Sequence, residues 1–186
     1  MKNFAITGTG RCGTTFLSTH MNKSNTWTVL HEPFGDPYKR FKKTYYGEVN
    51  SMLIHNSEVF LNLDVDKKGI IFRNPKTLLL SLANNKPIHT LISHIDGAEK
   101  WYNIFEQWLK QNPNWIRISF ENMTSDLEYL NEIFMTFGIN DVDINSINLN
   151  SKINMSRNYK YTSFDQLPNN IIDHFYNSNL TNYAHL

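Results

Sequence analysis

A run of small and basic residues near the N-terminus, Gly8-Thr9-Gly10-Arg11-Cys12-Gly13-Thr14-Thr15, holds the residue types that bind anions. It follows the apolar stretch Phe4-Ala5-Ile6 and leads into Phe16-Leu17, so it reads as strand, glycine-rich turn and helix. In that layout the backbone N–H groups at the start of the helix wrap a phosphate, and glycines let the main chain approach it closely. The spacing fits the nucleotide-binding loop G-x-x-x-x-G-K-[ST], except that Thr14 stands where the lysine belongs. In ATPases and kinases that lysine meets the β- and γ-phosphates, so its absence argues against ordinary triphosphate chemistry. The positive charge sits three residues earlier, at Arg11. Arginine stays protonated, which suits Arg11 to clamping negative charge rather than moving a proton.

Two further stretches carry chemistry. Ile70-Ile71-Phe72-Arg73-Asn74-Pro75-Lys76, with Ser81 following, reads as a buried strand that ends in an arginine and a helix that opens at Pro75. The carboxyl edge of a parallel sheet is where such folds bind ligands. Trp115-Ile116-Arg117-Ile118-Ser119-Phe120-Glu121-Asn122-Met123 precedes an amphipathic helix that ends Phe134-Met135-Thr136-Phe137-Gly138-Ile139.

The first stretch resembles the 5′-phosphosulfate loop of sulfotransferases that use 3′-phosphoadenylyl sulfate (PAPS). The second is similar to their 3′-phosphate motif, Arg-(Asn/Asp)-Pro with a serine eight residues after the arginine. The third, more weakly, looks like their strand, Tyr-Glu-Asp-Leu, helix and Phe-Leu-Gly segment. Together the matches cover most of residues 1–140. The resemblance implies a sulfotransferase that moves a sulfuryl group in line from PAPS to an acceptor hydroxyl, with no metal. It implies that Gly10, Arg11, Cys12, Gly13, Thr14 and Thr15 hold the 5′-phosphate and that Arg73 and Ser81 grip the 3′-phosphate. Arg11 takes the family's catalytic lysine or arginine position, beside the bridging oxygen. For the general base, Glu32 matches the glutamate of several branches, and the adjacent His31 matches the histidine of the cytosolic small-molecule branch; the residues leave both open. Glu32 also suits a solvated loop carboxylate, and His31 a packing histidine. The alternatives are a small P-loop kinase with an atypical loop and a non-catalytic nucleotide-binding module. The cytosolic branch's C-terminal Arg-Lys-Gly motif is missing here. Asn154 to Tyr161, with Arg157 and Lys160, is the basic and aromatic stretch able to close over a nucleotide in its place.

Cys12 fills the small-residue slot of the loop and is not a nucleophile, because a cysteine-phosphatase loop needs an arginine six residues on, where Ser18 stands. The remaining histidines lack ligand-like spacing, so no metal site is expected.

Composition sets the bounds. With 186 residues the chain suffices for one domain, residues 1–186, with a real core. A formal net charge of +1 gives no field for nucleic acid, so anion binding has to be local. One cysteine allows no internal disulfide, and there is neither a signal-peptide pattern nor an apolar run of ~18 residues to span a membrane. A cytoplasmic protein is expected, with a small-molecule or glycan acceptor, because the loop carrying Glu32, Asp36 and Tyr38 is polar. The oligomeric state is not legible.

These residues need an α/β fold to position them: a mainly parallel sheet with helices on both faces, in three layers. Strands are expected at Lys2–Thr7, Thr26–Leu30, Gly69–Arg73 and Trp115–Phe120. Helices are expected from Thr14 to about Met21, from Pro75 to about Asn84 and from Pro168 to about Asn177. Asp96 with Glu99 marks a helix start, Ser125 with Glu128 a second, and Gly138 a helix stop. Residues 39–66 give no clear pattern, with Val49 to Leu63 helical in part. The Trp101 and Trp108 stripe reads as core.

Overall fold

Apolar strands alternate with amphipathic helices along most of the chain, and that alternation builds a parallel sheet. The computed structural model describes residues 3–32, 45–51, 53, 57–149 and 159–185. Among these, the strands are β1 (Asn3–Gly8), β2 (Trp27–His31), β3 (Tyr45–Val49), β4 (Lys67–Phe72) and β5 (Ile116–Ser119). They form one five-stranded sheet in the order β2-β3-β1-β4-β5, and each adjacent pair is parallel. The helices are α1 (Thr14–Met21), α2 (Ser57–Asn62), α3 (Pro75–Ala83), α4 (Leu91–Gln111), α5 (Phe120–Ser125), α6 (Leu127–Thr136) and α7 (Asn169–Tyr176).

The two-residue period of the strands sorts their side chains onto two faces. Phe4, Ile6, Val29, Val49, Ile71 and Ile118 pack in one buried cluster with Phe16 and Leu17 of α1 and Leu130 and Phe134 of α6. Ala5, Ile70 and Phe72 point the other way, into a cluster with Leu78 of α3, Tyr102 and Phe105 of α4 and Phe175 of α7. The result is three layers, helix, sheet and helix. Each fully buried aromatic of this kind contributes about 1.5–3 kcal/mol of transfer free energy.

The interior strand β3, between β2 and β1, was not apparent from sequence, since Gly47 and Glu48 interrupt its apolar pattern. Close packing demands the glycine: a Cβ at Gly47 would lie 2.1 Å from the Phe4 ring. Glu48 is buried, and its carboxylate accepts a hydrogen bond from Asn50 Nδ2 at 2.7 Å. Val49 therefore ends a strand rather than opening a helix, and α2 begins only at Ser57.

Two helix starts also differ from expectation. Helix α4 opens at Leu91, after Pro87 and a short 3-10 turn over Ile88–Thr90, so Asp96 and Glu99 lie inside it. These acids face the C-terminal segment, where Asp96 Oδ1 meets His174 Nε2 at 2.7 Å and Glu99 Oε1 accepts from Asn179 Nδ2 at 2.6 Å. Helix α6 is capped by Asp126, not Ser125; Asp126 Oδ1 accepts the N–H groups of Glu128 and Tyr129 at 2.8 and 3.1 Å. Gly138, at φ 82°, ends α6, with the N–H of Ile139 bonded to the Phe134 carbonyl at 2.9 Å.

Candidate active site

The turn after β1 is built by close packing and left-handed backbone. The Cys12 N–H closes it on the Thr9 carbonyl at 3.2 Å, and Gly13 caps α1 with φ 88°. Arg11 also adopts a positive φ, 68°, a conformation rare for a residue with a side chain. Such strain persists where the surroundings over-determine it, and it concentrates at functional sites. Cys12 points inward and is fully buried, and burial pushes its thiol pKa up to about 12. It lies beneath the loop as a packing residue. The first-turn N–H groups of α1 have no partner within the helix, which leaves an anion cradle at its end.

Arg73 leaves β4 directly beneath this loop. Its Nη1 donates to the Arg11 carbonyl at 2.6 Å and its Nε to Thr77 Oγ1 at 3.1 Å, and the guanidinium stacks on Phe120 with its carbon 4.1 Å from the ring centroid. Burial works against this charge, and Glu121 is the carboxylate that offsets it. Glu121 Oε1 accepts from Thr77 Oγ1 at 2.7 Å and from the Asn74 N–H at 3.0 Å, which ties α5 to the start of α3. The hydroxyl of Tyr102 donates to the Arg73 carbonyl and accepts the Arg73 N–H, fixing the main chain there. Pro75 and the Asn74 cap start α3, and two turns along it Ser81 Oγ accepts from Arg11 Nε at 3.3 Å. Arg11 is thus the meeting point: Arg73 holds its carbonyl and Ser81 its side chain.

The end of β2 brings His31 and Glu32 to the same place. His31 Nε2 lies 3.1 Å from Thr14 Oγ1 and 3.0 Å from Thr15 Oγ1. Glu32, at φ 48°, accepts a hydrogen bond from Ser51 Oγ at 2.5 Å and sits 3.7 Å from His31 Nε2. Asp36, Tyr38 and the rest of that loop lie outside the described residues.

One cleft of about 990 Å³ gathers these groups. Gly10, Arg11, Gly13, Thr14, Thr15, His31, Glu32, Arg73 and Ser81 all line it, and of the site residues expected from sequence Cys12 alone does not. Phe16, Phe120, Thr77 and Ser51 also line it and were not singled out from sequence. Thr77 had a usable signal, one helical turn beyond Arg73, whereas Ser51 was hidden with β3. The cleft continues past Ser81 to Trp101, Tyr159 and Tyr161. Trp108 belongs to the core as expected, but the half-buried Trp101 faces the cleft as well. Arg157 lies outside the described residues, and Lys160 is exposed with its ammonium 5.1 Å from the Tyr161 ring centroid.

The chain shares the architecture of a sulfotransferase-like α/β fold. Mouse sulfotransferase SULT7A1, solved in complex with PAP, superposes with a TM-score of 0.53 over 75% of this chain at 18% identity. The likeness spans 60% of the mouse enzyme's length. No family model matches the chain, and no curated protein matches it in sequence.

Proposed function

We propose that this chain is a sulfotransferase that moves a sulfuryl group from PAPS to an acceptor hydroxyl. The observation that carries the reading is the junction at Arg11, where an anion cradle and an arginine–serine pair share one residue. A doubly phosphorylated adenosine needs two anion sites, one for each phosphate, whereas ATP carries its phosphates in a single chain. The likeness to a PAP-bound sulfotransferase supports the same donor class.

The donor supplies an SO3 group carried on a phosphate leaving group. The N–H groups at the start of α1 hold that phosphate, with the hydroxyls of Thr14 and Thr15 adding bonds. Arg11 meets the bridging oxygen and neutralises the charge that develops as the S–O bond breaks, the kind of preorganised stabilisation that dominates transfers of this type. Arg73 keeps the loop in register and, with Ser81, faces the 3′-phosphate. Glu32, held by Ser51, takes the proton of the acceptor hydroxyl as its oxygen bonds to sulfur. His31 orients the two threonine hydroxyls and is the second candidate base.

Thermal shift with adenosine 3′,5′-bisphosphate, compared with ATP·Mg²⁺, tests the reading, since a ligand that binds the folded state raises its apparent stability. Stabilisation by the bisphosphate in the wild type and its reduction in Ser81→Ala are expected. A preferential response to ATP·Mg²⁺ overturns the reading in favour of a kinase.

A further inference from the structure

Arg73 is held from two sides, one of them outside the cleft. Its side chain meets Arg11, Thr77 and Phe120. Its main chain is bonded from behind by the Tyr102 hydroxyl and runs on into Asn74, the cap of α3. Both Tyr102 and Asn74 are backed by one short segment, a 3-10 turn over Asn179–Tyr183 and the Ala184 that follows it. The Tyr183 ring meets the Tyr102 ring edge-on, with centroids 5.1 Å apart at 69°, and its hydroxyl donates to Asn103 Oδ1 at 2.9 Å. Asn74 divides its amide: Oδ1 accepts the Lys76 N–H at 3.0 Å to cap α3, and Nδ2 donates to the Ala184 carbonyl at 2.6 Å. Fully buried Leu180 anchors the segment in the core cluster that also holds Phe72 and Tyr102. Among the described residues, none of 179–184 lines the cleft, and neither do Asn74 and Tyr102.

We infer that residues 179–184 are a strap that positions Arg73 for the 3′-phosphate, with Asn74 and Tyr183 as the positioning residues. A phosphate grip works while its guanidinium is held within about 0.5 Å of the productive place, and the groups behind it do that holding. A 3-10 turn has poorer hydrogen-bond geometry than an α-helix, so this one depends on the contacts it makes when docked. Docking of the strap and binding of the 3′-phosphate then favour each other, and by linkage each raises the other's equilibrium constant by the same factor. The 5′-phosphate sits on the N–H groups of α1 and is linked to Arg73 indirectly, through the Arg11 carbonyl, so it feels the strap less.

The inference rests on the sulfotransferase reading, which gives Arg73 the 3′-phosphate, and the experiment separates the two. Calorimetry of the wild type with adenosine 3′,5′-bisphosphate and with 5′-AMP comes first. A bisphosphate that binds no tighter than 5′-AMP sinks that reading and this inference together. Asn74→Ser keeps an oxygen to cap α3 but lacks the amide that reaches Ala184, and Tyr183→Leu removes the ring behind Tyr102. Each should weaken the bisphosphate by about threefold to tenfold and 5′-AMP by less than about twofold. Hydrogen exchange in the wild type gives the reciprocal readout, independent of how any variant folds. The Leu180 N–H is bonded to Ser178 Oγ and the Ala184 N–H to the Thr181 carbonyl, so their exchange reports opening of the strap. Saturating bisphosphate should protect both about threefold or more beyond saturating 5′-AMP. Equal protection by the two nucleotides, or variants that keep the wild-type preference for the bisphosphate, overturns the inference and leaves the donor assignment standing.

Discussion

Gly13→Ala probes how the cradle is held. Gly13 sits at φ 88°, and a Cβ there would approach two carbons of the Phe120 ring to 2.7 Å and the Met123 methyl to 3.0 Å. Left-handed backbone costs an alanine about 1–2 kcal/mol. Phe120 cannot simply retreat, because the Arg73 guanidinium stacks on it at 4.1 Å. Overpacking at such a contact adds about 1–3 kcal/mol. The sum, about 2–5 kcal/mol, lowers the melting temperature of a chain this size by roughly 4–20 °C at about 2–4 °C per kcal/mol. Thermal denaturation of Gly13→Ala, Phe120→Ala and the double variant separates the two contributions. In the Phe120→Ala background the cost of Gly13→Ala should fall to the backbone part, about 1–2 kcal/mol, a coupling typical of touching residues. A Gly13→Ala melting temperature within about 2 °C of wild type would refute the argument.

Other expectations follow from the same geometry. Ser81→Ala removes a hydroxyl that Arg11 contacts and that the proposed function assigns to the 3′-phosphate, and should weaken adenosine 3′,5′-bisphosphate by about 5–30-fold in calorimetry while leaving 5′-AMP unchanged. Glu32→Gln should lower kcat by about 10²–10⁴ with little change in donor affinity, and His31→Gln by less; the reverse ranking would make His31 the base. Buried His20 has its pKa lowered by burial and then by Lys23. At pH values above its ordinary 6.5 the ring is neutral in both folded and unfolded chains, so it adds no pH dependence. As the pH falls below 6.5 the unfolded chain takes up the proton first, and stability should fall. His20→Phe should flatten that acid slope in denaturant titrations, and an unchanged slope would assign it to other groups.

What could be read from sequence depended on how local the cause was. The strand–turn–helix around Arg11 and the Pro75 helix start are written in neighbouring residues, so their positions and their approach to one cleft were legible. Strand β3 was not, because Gly47 and Glu48 answer to Phe4 and Asn50, and Phe4 sits on the neighbouring strand β1, 43 residues earlier in the chain. The acids of α4 looked like a helix start because their partners, His174 and Asn179, lie some 80 residues away in sequence. Trp101 fits the apolar stripe of its helix, and only the cleft shows that it has a second face. Thr77 holds Arg73 from one helical turn on, but Glu121, which holds Thr77 from α5, has a role no spacing announces.

On the proposed function, one cleft grips both ends of a 3′,5′-bisphosphorylated adenosine. Calorimetric titration of the intact chain with that nucleotide and with 5′-AMP, under identical salt, measures it directly. Charge-assisted hydrogen bonds to the second phosphate, about 1.5–3 kcal/mol, predict about 10–150-fold tighter binding of the bisphosphate. Equal affinities for the two nucleotides would contradict the account.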